Sequence, residues 1–373
     1  MFVRSGFLAA ALVAGLGLAA APARAQIVYG QPAQGEIDLV YAHWKLALDA
    51  DEVTIDQFAV PVTAFLPLRE NLEARVYVAQ SNTKVSQLGQ DFELNGLTDL
   101  RLQANQSLAD DQVLLGLGVN LPTGKKGLSL DEEWVVMNYL SQTFLSFPVR
   151  RLGGGFGLNA TLGGAREVGD YRLGLTASYD LAGAYEAYLD QGDYKPGNAF
   201  AVTLGAQREF GTRRLDADLT FTTSTDDQLD DTKVFGRGDE LAIHAGLVGK
   251  AGGKGYRGDA YYRLRGRNTV YDPDGILLQQ LKIYGNEFLL GGALDFHGAS
   301  GWVWGPRADL RLIAGNEFGF GSTSLVGLGG QVARALTPHL NLTLTLKYFT
   351  GSTHDGEMDL TGYQAWVAAG GTF

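Results

Sequence analysis

The sequence predicts an all-β chain: a transmembrane antiparallel up-and-down β-barrel of about sixteen strands, with fourteen as the alternative. Three observations support this prediction. The chain begins with an export signal, long segments alternate apolar and polar residues, and no later apolar run is long enough for a membrane helix. A chain that lies in a membrane without apolar helices must pair its backbone groups in a closed sheet.

The N-terminus has the pattern of a cleaved secretory signal peptide. A short segment with one basic residue, Arg4, precedes an apolar run from Phe7 to Ala21, and Ala23-x-Ala25 then provides a small-x-small cleavage site. The alternative, a membrane anchor, needs about 20 apolar residues, and this run is shorter. We therefore predict a signal peptide over residues 1–25 and a single outer-membrane barrel domain over residues 26–373.

The composition limits the possible partners. The formal net charge is -11, and nucleic acid binds basic faces, so we expect no nucleic-acid partner. The chain has no cysteine. An exported protein without disulfides must obtain its stability from a large core, a metal or a closed sheet.

Alternation of apolar and polar residues places the strands. The run from Leu340 to Lys347 reads Leu-Asn-Leu-Thr-Leu-Thr-Leu-Lys, which is the period of a strand with one face in lipid and one in a polar interior. The same criterion predicts sixteen strands, at residues 36–47, 53–66, 72–83, 97–108, 112–122, 154–166, 170–184, 197–210, 213–226, 239–250, 255–269, 285–298, 301–314, 322–336, 340–351 and 358–373.

The links between these strands differ in length according to their position. Every link after an even-numbered strand is short, whereas links after odd-numbered strands are usually long. Short turns at one end and long loops at the other are typical of outer-membrane barrels, whose turns face the periplasm. Long loops are predicted at residues 84–96, 123–153, 185–196, 227–238 and 270–284.

The longest predicted loop contains a short helix. From Leu128 to Leu140 an acidic first turn is followed by apolar residues at helical spacing, and loops of this length usually carry function. We predict that the helix caps the barrel or folds into its lumen. Leu130, Trp134, Met137 and Tyr139 would then form a constriction or gate.

Charged residues share the register opposite to the leucines, because a basic side chain facing lipid at the midplane costs about 2–4 kcal/mol. We therefore expect them to face the lumen. One hypothesis is that rows of arginine steer anionic solutes, above all in the segment 263–267. The alternative is that they pair with acids on adjacent strands and fill the lumen. The candidate lumen and selectivity residues are Arg101, Arg257, Arg263, Arg265, Arg267, Arg307 and Arg311.

Aromatic residues suggest two further features. Phe373 ends the chain after a strand pattern, which resembles the C-terminal signature of bacterial outer-membrane barrels that the barrel-insertion machinery reads. Aromatic residues near predicted strand ends either form interfacial girdles or are ordinary strand residues, and both interpretations stay open. These residues are Trp44, Tyr171, Tyr179, Tyr256, Trp302, Trp304 and Tyr348.

One segment resembles known families. Residues 114–125, Leu-Leu-Gly-Leu-Gly-Val-Asn-Leu-Pro-Thr-Gly-Lys, resemble a strand-to-loop junction of outer-membrane proteins linked to the meta-cleavage pathway of phenol degradation. They are also similar to the corresponding stretch of the long-chain fatty acid and aromatic-hydrocarbon transporter family. The resemblance implies a monomeric barrel that passes hydrophobic or aromatic solutes.

These features together predict a passive channel or transporter for small solutes in the outer membrane, in contact with outer-membrane lipid. The alternative is a structural or surface-interaction barrel with a filled lumen. We do not expect an enzyme: Asp295 and His297 share a face, but no G-x-S-x-G nucleophile motif accompanies them. We also expect no cofactor and no metal.

Overall fold

The computed structural model describes residues 32–48, 51–110, 112–130, 132–298, 301–317, 319 and 321–373. The signal peptide predicted over residues 1–25 lies outside the described residues. Within these ranges the chain is mostly strand, with one short α-helix. No helix in the described part of the chain is long and apolar enough to cross a membrane.

Sixteen antiparallel strands close into one barrel, which confirms the predicted fold and strand count. Each strand pairs with the next along the chain, and the last strand pairs with the first, placing Val367 opposite Leu39. The strands, β1 to β16 in chain order, are Gln34–Leu48, Asp51–Arg69, Leu72–Gln87, Gln90–Leu97 continued by Leu100–Leu108, Val113–Leu121, Gly157–Val168, Tyr171–Ala182, Ala199–Phe210, Arg213–Ser224, Glu240–Ala251, Lys254–Arg265, Glu287–His297, Trp302–Ile313, Thr323–Thr337, Leu340–Thr353 and Met358–Thr372.

The two registers of each strand face different surroundings. On β15, Leu342, Leu344 and Leu346 are exposed on the outside of the barrel. In the opposite register, Lys347 donates from Nζ to Asp309 Oδ2 on β13 at 2.6 Å. The outer surface is therefore apolar where it would meet lipid, and the charged side chain lies inside, as the alternation predicts.

The links divide the barrel into a turn end and a loop end. Short links follow the even-numbered strands and define the turn end. The long links lie at the other end, the loop end, and cover residues 122–156, 183–198, 225–239 and 266–286.

The prediction of a long loop at residues 84–96 is wrong. Instead β3 and β4 continue through this segment and join at a tight turn, where Leu88 and Gly89 have φ values of 52° and 74°. The usual register is inverted there: Val85 and Leu94 are buried inside, while Lys84 pairs with an acid on the outer face. Because the polar residues point outward, the segment does not have the pattern of a lipid-facing strand.

The loops at the loop end form a second sheet of six short strands. A buried carboxylate, Asp227, ties them together: it accepts hydrogen bonds from the Tyr194 hydroxyl at 2.5 Å and the Gly197 N–H at 2.6 Å, and pairs with Arg237 at 3.1 Å. Burial, and then the charge of Asp227, raise the pKa of Tyr194 well above its ordinary value. The strands of this sheet are Tyr185–Glu186, Asp193–Lys195, Asp227–Leu229, Thr232–Gly236, Asn268–Tyr271 and Leu277–Leu281.

Candidate functional site in the barrel lumen

The loop between β5 and β6, residues 122–156, carries the predicted helix. The helix α1 covers Glu133–Ser141, shorter than predicted, and the 3-10 turn Thr143–Leu145 follows it. The strongest single anchor of this loop is Gln57 of β2, which is fully buried. Its Nε2 donates to Val149 O at 2.7 Å, and its Oε1 accepts from Val149 N at 3.1 Å.

Strands β13 and β16, which lie on the other side of the β16–β1 pairing from β2, bind the same loop. Arg311 of β13 donates from Nη1 to the carbonyl oxygens of Thr143 at 2.7 Å and Phe144 at 2.8 Å. Gln364 of β16 donates from Nε2 to Ser146 O at 3.0 Å. One short segment can reach β2, β13 and β16 together only from within the barrel, so the loop folds into the lumen.

Apolar side chains of this loop pack on the inner wall. Trp44 of β1 is fully buried there, and its ring stacks on that of Phe349 with centroids 5.2 Å apart. Trp44 is therefore not part of an interfacial aromatic girdle, because the loop provides an apolar neighbour for it inside the barrel. The cluster includes Trp44, Ile55, Val85 and Leu94 from the wall and Val136, Met137, Leu140, Phe144 and Leu145 from the loop.

The base of the loop is closed by Asp99, in the break between the two segments of β4. Its Oδ1 accepts from Gly124 N at 2.8 Å, and its Oδ2 accepts from Gly154 N at 2.7 Å and from Asn120 Nδ2 at 2.8 Å. A Cβ on Gly124 would lie 2.6 Å from Leu152 O. Glycine is therefore required where the two arms of the loop meet.

Three of the four predicted constriction residues, Trp134, Met137 and Tyr139, belong to the cluster between the loop and the wall. Met137 is 5% exposed and packs on the wall, Trp134 is half-buried against the same cluster, and the Tyr139 hydroxyl donates to Gln87 Oε1 at 2.9 Å. Leu130 is 39% exposed. Three of the four side chains thus contact the wall, and Leu130 is the most exposed of the four.

The strand arginines behave differently from one another. Arg265 of β11 is buried with Glu287 of β12, its Nη2 3.2 Å from Oε2, and its Nε lies 3.5 Å from Glu240 Oε1. Arg263 is more accessible: its Nε donates to the Tyr261 hydroxyl at 2.7 Å and lies 3.7 Å from Glu240 Oε2. Arg265 therefore pairs with acids of adjacent strands, as the alternative hypothesis expected, whereas Arg263 is 18% exposed and less tightly paired.

Arg267 does not belong to this row. The prediction placed it on the eleventh strand, but β11 ends at Arg265 and Arg267 lies in the following loop. Its side chain is 60% exposed and pairs with Glu317 of a neighbouring loop. Beyond Arg265, the Gly266 N–H still donates to Asp239 O at 2.8 Å, and residues Asn268–Tyr271 then join the sheet of the loops.

The remaining predicted arginines lie on two parts of the inner face. Arg307 of β13 pairs with Asp295 at 2.6 Å, and Arg257 of β11 is exposed to the lumen. Arg101 of β4 lies apart from them, with its guanidinium 5.8 Å from the centroid of the Tyr77 ring.

The structure also adds an arginine that the sequence did not indicate. Arg150, in the lumen loop, donates to the carbonyl oxygens of Leu140 at 3.3 Å and Ser141 at 2.7 Å, at the C-terminal end of α1. Burial lowers the pKa of Arg150, and the nearby Arg311 and Arg263 act in the same direction while Glu287 opposes them.

A cavity of about 1080 Å³ lies inside the turn end of the barrel. Its lining combines polar and charged side chains with small and apolar ones, and two aromatic rings lie beneath guanidinium groups: Arg75 lies 5.8 Å from the Phe65 ring and Arg101 lies over Tyr77. In the described part of the chain, no group of three or more His, Asp or Glu side chains is arranged to hold a metal. Lining residues include Glu36, Thr63, Glu73, Gln103, Asn341 and Thr343.

The C-terminal residue lies at the turn end. The Phe373 N–H donates to Ala33 O at 2.8 Å, and its side chain is 82% exposed. Its ring lies near Gly35, where an added Cβ would be 3.3 Å away. The ring is thus presented to the surroundings and not to the core.

No protein-family model and no curated protein matches this chain. Several solved structures are similar to it. The OccK7 (OpdD) structure of Pseudomonas aeruginosa is 15% identical, with 91% of this chain and 99% of that chain covered and a TM-score of 0.45. The CymD monoaromatic hydrocarbon channel is 12% identical, with coverages of 92% and 89% and a TM-score of 0.46. An outer membrane channel from Pseudomonas putida F1 is 11% identical, with coverages of 95% and 100% and a TM-score of 0.37.

The fold and the lumen together define a class of protein. The chain is a closed antiparallel barrel of sixteen strands, apolar outside, polar inside and narrowed by one inserted loop. These are the features of a transmembrane β-barrel.

Proposed function

We propose that this chain is an outer-membrane channel through which small solutes pass by diffusion. The observation that carries the proposal is the cavity of about 1080 Å³ within a closed barrel. A barrel that served only as a structural element has no need of an open interior, and sixteen strands leave more room than side chains alone fill. The turn end would face the periplasm and the loop end the exterior.

The outer surface supports the membrane location. Trp302 and Trp304 are 41% and 50% exposed near the turn end of β13, and Leu310 and Leu312 continue the same outward register. Aromatic rings at strand ends and aliphatic side chains between them match the headgroup and hydrocarbon layers of a bilayer.

The lumen loop supports the role of a constriction. It is held by Gln57, Arg311 and Gln364 on three strands and by Asp99 at its base. These hydrogen bonds favour a fixed narrowing over a freely swinging gate. Leu130 is the most exposed of the four predicted constriction residues.

The side chains of the inner face favour polar solutes as the first candidate class. Charged and amide side chains line the cavity beside small and apolar ones, whereas the larger apolar cluster of β1–β4, which includes Trp44, Ile55 and Leu94, is covered by the loop. A second candidate class is aromatic solutes. The paired rings and guanidinium groups of Phe65, Arg75, Tyr77 and Arg101 support it, because a flat solute stacks on such surfaces.

Single-channel recording of the refolded protein in a planar bilayer tests the proposal. Wild type should show stable open steps. A variant with residues 125–153 replaced by a short Gly-Ser linker should show a larger conductance, because the loop narrows the lumen. The matched control shortens residues 270–284, which do not belong to the lumen loop, and should conduct like wild type. A folded wild type and a folded loop variant that are both silent would contradict a channel and favour a surface-interaction barrel.

A further inference from the structure

A three-residue pattern recurs on alternate strands of the inner face. Each of β9, β11 and β13 carries an arginine followed two positions later by an aspartate, so both side chains point inward. These strands run in the same direction, and the arginine is always nearer the turn end. The three segments are Arg214-Leu-Asp216, Arg257-Gly-Asp259 and Arg307-Ala-Asp309.

Strand pairing aligns the three aspartates. The residues opposite them on the intervening strands are glycines, so aspartate and glycine alternate along one row of paired residues. This row runs Asp216, Gly246, Asp259, Gly291, Asp309, Gly327 from β9 to β14.

Glycine occupies these positions for a steric reason. A Cβ on Gly246 would lie 2.6 Å from Asp216 Oδ2, and a Cβ on Gly291 would lie 2.8 Å from Asp259 Oδ2. Each carboxylate therefore lies flat against the backbone of the next strand. The aspartates thus form an acidic row, which lies close against the barrel wall and leaves the lumen open. This row comprises Asp216, Asp259 and Asp309.

A basic row runs parallel to it. Strand pairing places the three arginines and a lysine of β15 in one line, with Val248, Ala293 and Gly329 between them. The basic row comprises Arg214, Arg257, Arg307 and Lys347. Two residues along a strand separate the rows, which corresponds to about 7 Å.

The rows are only partly neutralised. At their edges Arg307 pairs with Asp295 at 2.6 Å, and Lys347 pairs with Asp309 at 2.6 Å. At their centre, Arg257 and Asp259 are exposed to the lumen, and neither has an ion pair or hydrogen bond to another side chain among the described residues. The central pair is thus available to a solute.

The rows lie directly on the turn-end side of the lumen loop. Arg311 is two residues beyond Asp309 toward the loop end, and it binds the loop carbonyl oxygens at Thr143 and Phe144. A solute that passed the loop along β9–β13 would meet the acidic row first and the basic row about 7 Å later.

We propose that the acidic and basic rows act together as a dipolar filter, which favours small polar solutes that carry both charges or none and slows solutes with a net charge. The inference rests on the proposed channel function and names its solute class. A cation is attracted by the aspartates and repelled by the arginines next to them, and an anion meets the reverse. A zwitterion can orient its two groups along the strand direction and satisfy both rows.

Reversal potentials in a KCl gradient test the filter. Wild type should discriminate weakly between K⁺ and Cl⁻. The acidic-row variant Asp216→Asn, Asp259→Asn, Asp309→Asn should become anion-selective, and the basic-row variant Arg257→Gln, Arg307→Gln should become cation-selective. Each kT of local potential changes the permeability ratio about threefold, so the two variants should move it in opposite directions by at least this factor.

Solute flux into liposomes tests the same filter with three probes of similar size: glycine, glycolate and ethanolamine. Wild type should pass glycine fastest. The acidic-row variant should gain flux for glycolate and the basic-row variant for ethanolamine. The control, Lys84→Gln with Asp91→Asn, changes a charge pair on the outer face and should match wild type in both assays.

The outcomes separate the two proposals. Conductance with reversal potentials that do not move, or that move in the same direction in both variants, overturns the filter and leaves the channel intact. A wild type without conductance or flux overturns the channel and the filter with it. Electrophoretic heat modifiability of every variant confirms that it has folded. Single substitutions at Arg257 and Asp259, which form no ion pair or side-chain hydrogen bond with any residue that the structure describes, serve where a multiple variant does not fold.

Discussion

Gln57 and Val149 are 92 residues apart and bind each other through both atoms of one amide: Gln57 Nε2 donates to Val149 O at 2.7 Å, and Val149 N donates to Gln57 Oε1 at 3.1 Å. Gln57 Nε2 also donates to Thr83 Oγ1 at 2.9 Å. A fully buried side chain on the wall thus replaces a strand neighbour for the loop backbone. This contact explains how a segment without its own sheet is held in the lumen.

Replacing this amide should loosen the loop. Gln57→Leu leaves the N–H and C=O of Val149 unpaired in a buried place, which costs about 1–3 kcal/mol. We expect the variant to fold and to show larger and noisier single-channel currents than wild type. Thr83→Val removes only the third hydrogen bond and is the matched control. Quiet, wild-type currents from Gln57→Leu would contradict the anchoring role.

Two neighbouring arginines should differ in their effect on stability. Arg265→Met leaves Glu287 buried without its partner, and the side chains of this pair are 7% and 6% exposed. Breaking such a pair costs about 3–5 kcal/mol, so the temperature at which the folded band disappears on a semi-native gel should fall. For Arg263→Met this temperature should fall much less, because the nearest carboxylate to Arg263, that of Glu240, is 3.7 Å away. Equal losses would mean that the two arginines have the same role.

Within the segment 263–267, Arg263 is the arginine best placed to act on selectivity. Its side chain is 18% exposed, whereas that of Arg265 is 7% exposed and paired, and Arg267 lies in a loop. Arg263→Gln should shift the reversal potential toward cations, because it removes a positive charge from the inner face. Arg267→Gln is the control and should leave the potential unchanged. An unchanged potential in Arg263→Gln would reject the selectivity role.

One contact between two loops should depend on pH. The Lys282 N–H donates to Glu317 Oε2 at 2.9 Å, and this bond, followed by the charge of Arg267, lowers the pKa of Glu317. A lowered pKa means that the contribution to stability is complete above the ordinary glutamate value of about 4.3 and is lost as the pH falls through the lower folded value.

Hydrogen exchange measures this dependence. After correction for the intrinsic rate, the Lys282 amide should keep constant protection at neutral pH and lose it only as the pH falls below the ordinary glutamate value of about 4.3. Glu317→Gln keeps an acceptor but does not titrate, so its protection should not change over the same range. Loss of protection at the same pH in both proteins would assign the effect to another group.

Phe373 should matter for assembly more than for stability. Its side chain is 82% exposed, and its backbone N–H donates to Ala33 O. Deleting Phe373 should leave the refolded barrel as heat-resistant as wild type but reduce the amount inserted into the outer membrane of cells. Phe373→Tyr keeps an aromatic end and should restore insertion. Normal insertion of the deletion variant would contradict the prediction that Phe373 is an insertion signal.

Most of the barrel could be predicted because its physics is local. A strand with lipid on one side and polar groups on the other must alternate, so Leu340–Lys347 indicates its own conformation and both of its faces. The prediction failed at residues 84–96, where the inner face is apolar and the outer face polar. The pattern there depends on the lumen loop, which is distant in sequence.

The candidate site depended more on tertiary structure. The sequence placed Arg263, Arg307 and Arg311 on one register, but the partners of each arginine come from adjacent strands and from the loop. Gln57 and Arg150 were missed, and the backbone contacts of Asp99 were not predicted, because an amide, a carboxylate and a guanidinium in isolation do not show which backbone they bind. A polar side chain in an otherwise apolar register, as at Gln57, was the available signal.

The aligned rows show the same division. The repeats that include Arg257 and Asp259 are visible in the sequence once the strands are compared, since Arg-x-Asp places both groups on one face. Pairing register alone decided that Asp259 faces Gly291 and lies level with Asp309. By itself the sequence determined the strand conformation, the two faces and the polar interior, because these follow from residue-by-residue contact with lipid or water. Which charges meet, and which side of the wall the loop covers, only the tertiary structure decided, because these depend on register and on chain segments brought together by closure of the barrel.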